Sequence, residues 1–379
     1  MLIGGCNSRD FGHGSVVCVC NASYCDEIIP LQPPEAGKIQ VAISSKAGSR
    51  WNITELQFQE HENDVVSAEA VFYIDKNKAT LYQEIIGFGG AFTDAAGMNI
   101  MSVAEPLQNL ILRNTACIRD HTALTEPSKF IKKKAYYSSE GLEYSLSRVP
   151  VGGTDFSIYP YTYDDLDLGK TDPELYNFTL APEDLIYKIP LLKRAISMSS
   201  TPLKLFASAW SAPGWMKDSG KIMGKGKLLK QYYSTWAKYY IMFFERYAEH
   251  NITFWGLTAQ NEPTDGLVEY FNFNALGWTS FEQAQWIGEY LGPALRNSSF
   301  AYLQVMVLDD NRFLLPKWVD DVMSDSQASE YVSGVAVHWY LDWVTPPHVL
   351  DLTHDRNPHL FLLYTEACTG SYLNLSSVP

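Results

Sequence analysis

The chain is short of positive charge. Its 29 Lys and Arg stand against 43 Asp and Glu, a formal net charge of −14 over 379 residues. No basic surplus exists to neutralise phosphates, which argues against nucleic-acid binding. The one basic cluster, Lys132-Lys133-Lys134, is short and reads as a solvated loop. No apolar run reaches membrane-spanning length, so no transmembrane segment is expected. The first residues, Met1 to Gly5, lack the basic start and the apolar stretch of about 7–15 residues that make a signal peptide. No Gly-rich phosphate loop follows a strand. Gly87-Phe88-Gly89-Gly90 lacks the spacing of a dinucleotide fingerprint and runs into Phe92-Thr93-Asp94. No internal repeat of fixed length is visible. Neither a cofactor nor a metal is called for.

Cysteine is scarce, six in the whole chain, but four fall close together at Cys6, Cys18, Cys20 and Cys25. That spacing fits two local disulfides or a zinc site. No His pair at ligand spacing accompanies it, which favours disulfides and an oxidising compartment. Six Asn-X-Ser/Thr sequons, at Asn21, Asn52, Asn177, Asn251, Asn297 and Asn374, point the same way, towards the secretory route and a leader absent from this sequence. An acidic surface is compatible with an acidic compartment. Aromatics are plentiful, with 10 Trp and 23 Tyr. Composition alone favours a well-filled core over a sugar-stacking pocket as the reason.

The pattern of the chain changes twice. Residues 1–29 read as a cysteine-stapled segment. Residues 30–84 carry alternating stretches, Trp51–Phe58 and Ala68–Ile74, that predict part of an antiparallel β-domain with one wet face. Over residues 85–379, short apolar runs alternate with amphipathic segments such as Tyr232–His250 and Phe281–Leu291. The runs are Ile85–Phe92, Ser145–Val151, Leu203–Trp210, Phe254–Asn261, Leu303–Leu308, Val332–Tyr340 and Leu360–Glu366. Strand–helix alternation implies a parallel sheet. Polar and aromatic residues at the strand ends favour an α/β fold of the (β/α)8 TIM-barrel type, with strands 1 to 7 present and the eighth missing. Residues 114–134, with Cys117, Pro127 and the lysine run, interrupt one connection and are expected to lie outside the barrel.

Two of these runs end on a lone carboxylate. One closes with Asn261-Glu262-Pro263, the other with Thr365-Glu366. Carboxylates at the C-terminal ends of different parallel strands can face each other across one pocket. That arrangement suits glycoside hydrolysis, in which one acid protonates the leaving oxygen and one carboxylate attacks the sugar. Glu366 sits on the more apolar run and needs partners, for which Arg148 and Tyr340 are candidates. Asn261 can hydrogen-bond a sugar hydroxyl. Asp94 and Asp155 can each accept two, and Trp210, Trp215 and Trp339 offer stacking faces. His338 could orient a carboxylate or be a satisfied core histidine.

The chain closely resembles the glucosylceramidases (acid β-glucosidases), animal members of family 30 of the glycoside hydrolases. The segments that carry the resemblance occur in the family's order. They are Ser15–Asp26, Gly87–Ala96, Arg148–Pro150 with Thr154–Ser157, Ala207–Lys217, Thr258–Pro263, Val307–Asp310, Ala336–Asp342 and Glu366–Cys368. The resemblance implies that Glu262 is the acid/base and Glu366 the nucleophile of a retaining double displacement. It implies that Asp155 grips the outer hydroxyls, that Trp210 stacks on the sugar, that Asn261 meets the 2-OH, and that Arg148, His338 and Tyr340 brace the nucleophile. It implies Cys6–Cys18 and Cys20–Cys25 disulfides, with Cys117 and Cys368 free. It further implies a lysosomal enzyme without cofactor that hydrolyses a β-glucosyl sphingolipid to glucose and ceramide, working with a saposin-type activator and an anionic lipid surface.

The family continues past residue 379, so the resemblance implies a C-terminally truncated chain, not expected to be a stable, active enzyme as it stands. Segment 114–134 has no counterpart. The competing readings are an inactive fragment or sugar-binding pseudoenzyme, and another family 30 β-glycanase such as a β-1,6-glucanase or xylanase.

Overall fold

The structure is a computed structural model. It describes residues 8–10, 12, 16–18, 33–45, 49, 51–58, 75, 77, 83–113 and 142–368. Segment 114–134, the Ala68–Ile74 stretch, Cys6, Cys20, Cys25, Cys117, Asn21 and Asn374 lie outside the described residues, as does the side chain of Cys18. Contacts divide the chain into two units.

The first unit comprises residues 1–88, 103–145 and 195–202. Among its described residues it holds two antiparallel ribbons: β1 (Ser8–Asp10) with β2 (Val16–Cys18), and β3 (Lys38–Ile43) with β4 (Asn52–Gln57). Helix α2 (Glu105–Arg113) belongs here too, after α1 (Asp94–Ser102) of the second unit. Strand β4 matches the alternation seen in the sequence, but five of its six residues are exposed. A two-stranded ribbon has no second layer of its own to bury a face against.

The second unit carries seven parallel strands in a curled half-barrel, each hydrogen-bonded to its neighbours in chain order. They are β5 (Gly89–Ala91), β6 (Leu146–Val151), β7 (Lys204–Ala209), β8 (Gly256–Thr258), β9 (Gln304–Asn311), β10 (Val332–His338) and β11 (Phe361–Glu366). The connecting helices are α3 (Ile189–Met198), α4 (Tyr233–Glu249), α5 (Ser280–Trp286), α6 (Gly292–Arg296), α7 (Lys317–Met323) and α8 (His348–Arg356). All seven strand expectations hold, with most strands shorter than the apolar runs and β9 longer than its run. The clearest case is Phe254–Asn261, of which only Gly256–Thr258 is strand. No described helix is long and apolar enough to cross a membrane.

Strand β6 is buried at every residue, and β7 and β9 nearly so, because helices cover one face and facing strands fill the other, whereas β5 at the end of the sheet is exposed. Inside, Leu146, Phe206, Met306, Ala336 and Leu363 from five strands form one cluster, with Trp255 and Phe361 packed on it. Gly334 is needed there, since a Cβ would meet the Phe361 ring at 2.3 Å. This floor leaves the C-terminal strand ends as the place where polar side chains converge.

Helix α4 accounts for much of the aromatic content. Trp236, Tyr239, Tyr240, Phe243, Phe244 and Tyr247 repeat every three or four residues, so they share one helix face and are all buried. Burying each such side chain contributes about 1.5–3 kcal/mol. The helix also closes a buried polar cluster, in which Tyr247 and Tyr163 donate to Asp184 at 2.6 and 2.9 Å and Lys188 pairs with Asp184 at 2.9 Å. Asp94 belongs to this cluster and not to a sugar pocket. It is buried, lies 3.5 Å from Lys188 and accepts from Ser157 Oγ at 2.5 Å and Tyr161 OH at 2.9 Å. Those protein hydroxyls occupy the positions that the sequence offered to a ligand.

Candidate active site

Parallel strands deliver their C-terminal ends to one face, and here six of the seven contribute. Arg148 lies on β6, Trp210 just past β7, Asn261 and Glu262 just past β8, Asp309 on β9, His338 at the end of β10 with Tyr340 two residues on, and Glu366 at the end of β11. Carboxylate oxygens of Glu262 and Glu366 and a ring nitrogen of His338 all lie within 4.8 Å of one another.

The two glutamates are held differently. Glu366 Oε2 accepts from Arg148 Nη1, and Glu366 Oε1 accepts from Tyr340 OH at 2.7 Å. The Cys368 backbone N–H donates to the same Tyr340 oxygen at 3.2 Å and fixes it. Glu262 faces His338 Nδ1 at 3.2 Å. The resemblance sets His338 against the nucleophile, yet Nδ1 is 4.0 Å from Glu366. Its other nitrogen decides the aim of the ring, because Nε2 is anchored 3.0 Å from Asp309 Oδ1.

Arg148 is the hub. Its Nε donates to Ser208 Oγ at 3.0 Å, and its Nη2 donates to Asn261 Oδ1 at 2.8 Å and Asp309 Oδ2 at 2.6 Å. Its guanidinium also lies 4.7 Å from the centre of the Trp210 ring, which is only 4% exposed. Asp309 is the counterweight. Fully buried, it accepts from Arg148, His338, Thr258 Oγ1 at 2.6 Å and Thr365 Oγ1 at 2.7 Å. The Leu308-Asp309-Asp310 segment matches a family motif, but nothing in the sequence gave Asp309 a task. The available signal was an acid directly after Val305–Leu308, where an unpaired charge would be costly.

The backbone bends to aim these groups. Glu262, Leu308 and Asp309 take φ of 38°, 71° and 56°, in the left-handed region that non-glycine residues avoid at about 1–2 kcal/mol each. The two bends are tied together, since the Glu262 N–H donates to the Asp309 carbonyl at 2.8 Å. Past Thr258 the chain stays buried and keeps to its neighbours, the Ala259 N–H donating to the Met306 carbonyl at 3.0 Å and the Asn261 N–H to the Ala209 carbonyl at 2.9 Å.

Electrostatics follow from this geometry. Burial opposes charge on His338, but the bonds to Asp309 and Glu262 and the Glu366 charge prevail and push the ring up to about 10, so both nitrogens donate. Burial would raise Asp309, but Arg148 and His338 hold it well below the usual carboxylate range. Glu262 is likewise raised by burial but brought below its ordinary value by His338, by a hydrogen bond with Asp265 and by Arg148. Asp155, in the loop after β6, is an exposed residue whose carboxyl is crowded by protein and by the charges of Glu366 and Glu262, which push it up to about 6.

Other expected residues sit further out. Trp339 is 41% exposed beside the site. The Trp215 indole N–H is committed to the Asp164 carbonyl at 2.8 Å. Asn52, Asn177, Asn251 and Asn297 are all exposed.

Residues 115–378 match the Glycosyl hydrolase family 30 TIM-barrel domain. The chain is 40% identical over 371 residues to lysosomal acid glucosylceramidase of Mus musculus, covering 97% of this chain and 66% of that protein. The chain thus spans a little under two thirds of the length of that relative. Among solved structures, SrfJ from Salmonella typhimurium superimposes with a TM-score of 0.66 at 24% identity, covering 86% of this chain and 65% of that one. The endo-β1,6-glucanase BT3312 gives 0.65 at 24% identity, covering 78% and 60%. Seven parallel strands, the strand-end carboxylates and the match over most of the barrel lead to one conclusion: the chain belongs to glycosyl hydrolase family 30.

Proposed function

We propose that this chain carries the catalytic centre of a retaining β-glucosidase that hydrolyses glucosylceramide or a close glycolipid. The observation that carries the reading is the pair Glu262 and Glu366, with carboxylate oxygens within 4.8 Å, each held by different partners. Retaining glycosidases need carboxyl groups about 5–5.5 Å apart, too close for a water between them.

Glu366 is the nucleophile in this scheme. Arg148 and Tyr340 orient both its oxygens, so that one oxygen can bond to the anomeric carbon. Glu262 gives a proton to the leaving oxygen and later takes one from the water that releases glucose. With its Oδ1 bound to Arg148, Asn261 has its amide NH2 to offer a sugar hydroxyl. Asp155 and Trp210 would hold the outer hydroxyls and a face of the ring. The glycolipid substrate and a lysosomal site are supported by the likeness to the mouse enzyme; a saposin-type activator and anionic lipid rest on the resemblance alone.

The test uses the full-length protein. Glu366→Gln should abolish turnover of every β-glucoside, and wild type should release β-glucose first when followed by proton NMR. Initial release of α-glucose would overturn the retaining mechanism. Faster hydrolysis of a β-1,6-glucan than of glucosylceramide would move the chain to the glucanase side of the family.

A further inference from the structure

Glu262 keeps a backbone φ of 38°, a left-handed conformation that a non-glycine residue holds only where its surroundings enforce it. Released, the residue would relax to negative φ and re-aim its side chain. Two adjacent residues of β9 enforce the bend, one on each side of it. Before the bend, the Glu262 N–H donates to the Asp309 carbonyl at 2.8 Å. After it, Asp310 Oδ2 accepts from Thr264 Oγ1 at 2.6 Å and from the Thr264 N–H at 3.3 Å. Pro263 lies between, its φ fixed by the ring and its carbonyl accepting from the Trp278 N–H at 3.0 Å.

Asp310 is buried and is anchored in turn. Its Oδ1 accepts from the Asn311 N–H at 2.6 Å and from Asn311 Nδ2 at 3.2 Å. These four donors occupy the roughly four lone-pair sites of the carboxylate, so Asp310 has no acceptor left for a substrate. Asn311 Oδ1 accepts from the Leu341 N–H at 3.2 Å, next to Tyr340, which donates to Glu366. The short segment Asp309–Asn311 thus braces the turn of Glu262 on one side and the chain that carries Tyr340 on the other. Burying an acid is unfavourable, and an apolar side chain would fill the space without that penalty. An apolar side chain could not grip Thr264.

We propose that Asp310 is a positioning residue that acts through Thr264 to hold the left-handed bend at Glu262, and so keeps the acid/base carboxyl in reach of the leaving oxygen and of the attacking water. Asp310 touches neither the sugar nor the proton in flight. Its effect is on where Glu262 stands, and a small misplacement of a reacting group is enough to slow proton transfer.

This inference rests on Glu262 being the acid/base. The experiment compares an alkyl β-glucoside with a 2,4-dinitrophenyl β-glucoside in the full-length protein. Thr264→Val and Asp310→Asn should each lower kcat/KM for the alkyl glucoside roughly tenfold, and for the dinitrophenyl glucoside by less than about twofold, since that leaving group needs no proton. For the dinitrophenyl glucoside kcat and KM should fall together, because the glucosyl-enzyme accumulates when Glu262 activates water poorly. Thr264→Ser, which restores the hydroxyl, should recover both substrates. The double variant should lose no more than the worse single one, as expected of two residues in one contact. Equal losses for both substrates with KM unchanged are what a smaller folded fraction gives, and they would overturn the proposal. So would unmoved kinetics in Thr264→Val, or losses that simply multiply in the double variant. Should Asp310→Asn not fold, Thr264→Val and Thr264→Ser carry the test by themselves. Glu262→Gln separates the two failures. If it lowers kcat/KM for both substrates alike, Glu262 is not the acid and the inference falls with it. If it spares the dinitrophenyl glucoside while the Thr264 and Asp310 variants change nothing, only the Asp310 role is wrong.

Discussion

Arg148 Nη2 and Asp309 Oδ2 face each other at 2.6 Å, with side chains 4% and 0% exposed. A buried pair of this kind adds little stability over an apolar substitute, but breaking it strands a charge in a dry site. Asp309→Leu or Arg148→Met should therefore destabilise the protein by about 3–5 kcal/mol, read from urea midpoints. Arg148→Lys should lose activity even where it folds. One ammonium cannot span Ser208, Asn261, Asp309 and Glu366. Full activity in Arg148→Lys would contradict the hub.

The His338 ring, pushed up to about 10, carries a sign for the pH dependence of stability. A raised folded value means that its contribution is whole below the unfolded value of about 6.5 and is lost as pH rises through about 10. Wild type should thus lose stability relative to His338→Gln between pH 7 and 10. Nitrogen-15 NMR should show a ring that does not titrate between pH 5 and 8. In Asp309→Asn the same ring should begin to titrate in that range, because its strongest partner has become neutral.

Tyr340→Phe removes one hydrogen bond to a charged carboxylate and leaves the ring in place. A bond of that kind is worth about 1.5–3 kcal/mol, so kcat/KM should fall roughly tenfold to a hundredfold with little change in stability. A change below twofold would show that Arg148 alone orients Glu366.

Gly89 is held at the fold by space. A Cβ on it would stand 1.5 Å from the Leu146 carbonyl oxygen on the paired strand β6. Gly89→Ala should open the β5–β6 ladder and destabilise by at least the upper part of the ~1–3 kcal/mol usual for overpacking. Hydrogen exchange at 146–148 should speed up; unchanged protection there would refute the argument.

Most of the centre was legible because each group ends or interrupts an apolar run. Glu262, Glu366, Arg148, His338 and Tyr340 are polar residues on strands or just past them, where burial makes any polar side chain conspicuous. Asp309 was legible only as an expense, since its partners come from β6, β8, β10 and β11 and none is near it in sequence. Asp94 misled. Its residue type and position suit a sugar, but Lys188, Tyr161 and Ser157 reach it first.

Cys368 lies two residues beyond Glu366 and lends its N–H to Tyr340. Burial, set against the Tyr340 bond and joined by the Glu366 and Asp155 charges, raises its thiol to about 11. At working pH almost none of it is thiolate, so it is a poor nucleophile despite its place beside the pocket. An electrophilic sugar entering the pocket meets the oriented Glu366 carboxyl and a dormant sulfur. Reagents of the epoxide or aziridine type should therefore label Glu366 alone, and adduct mapping by peptide mass would reveal any sulfur competition.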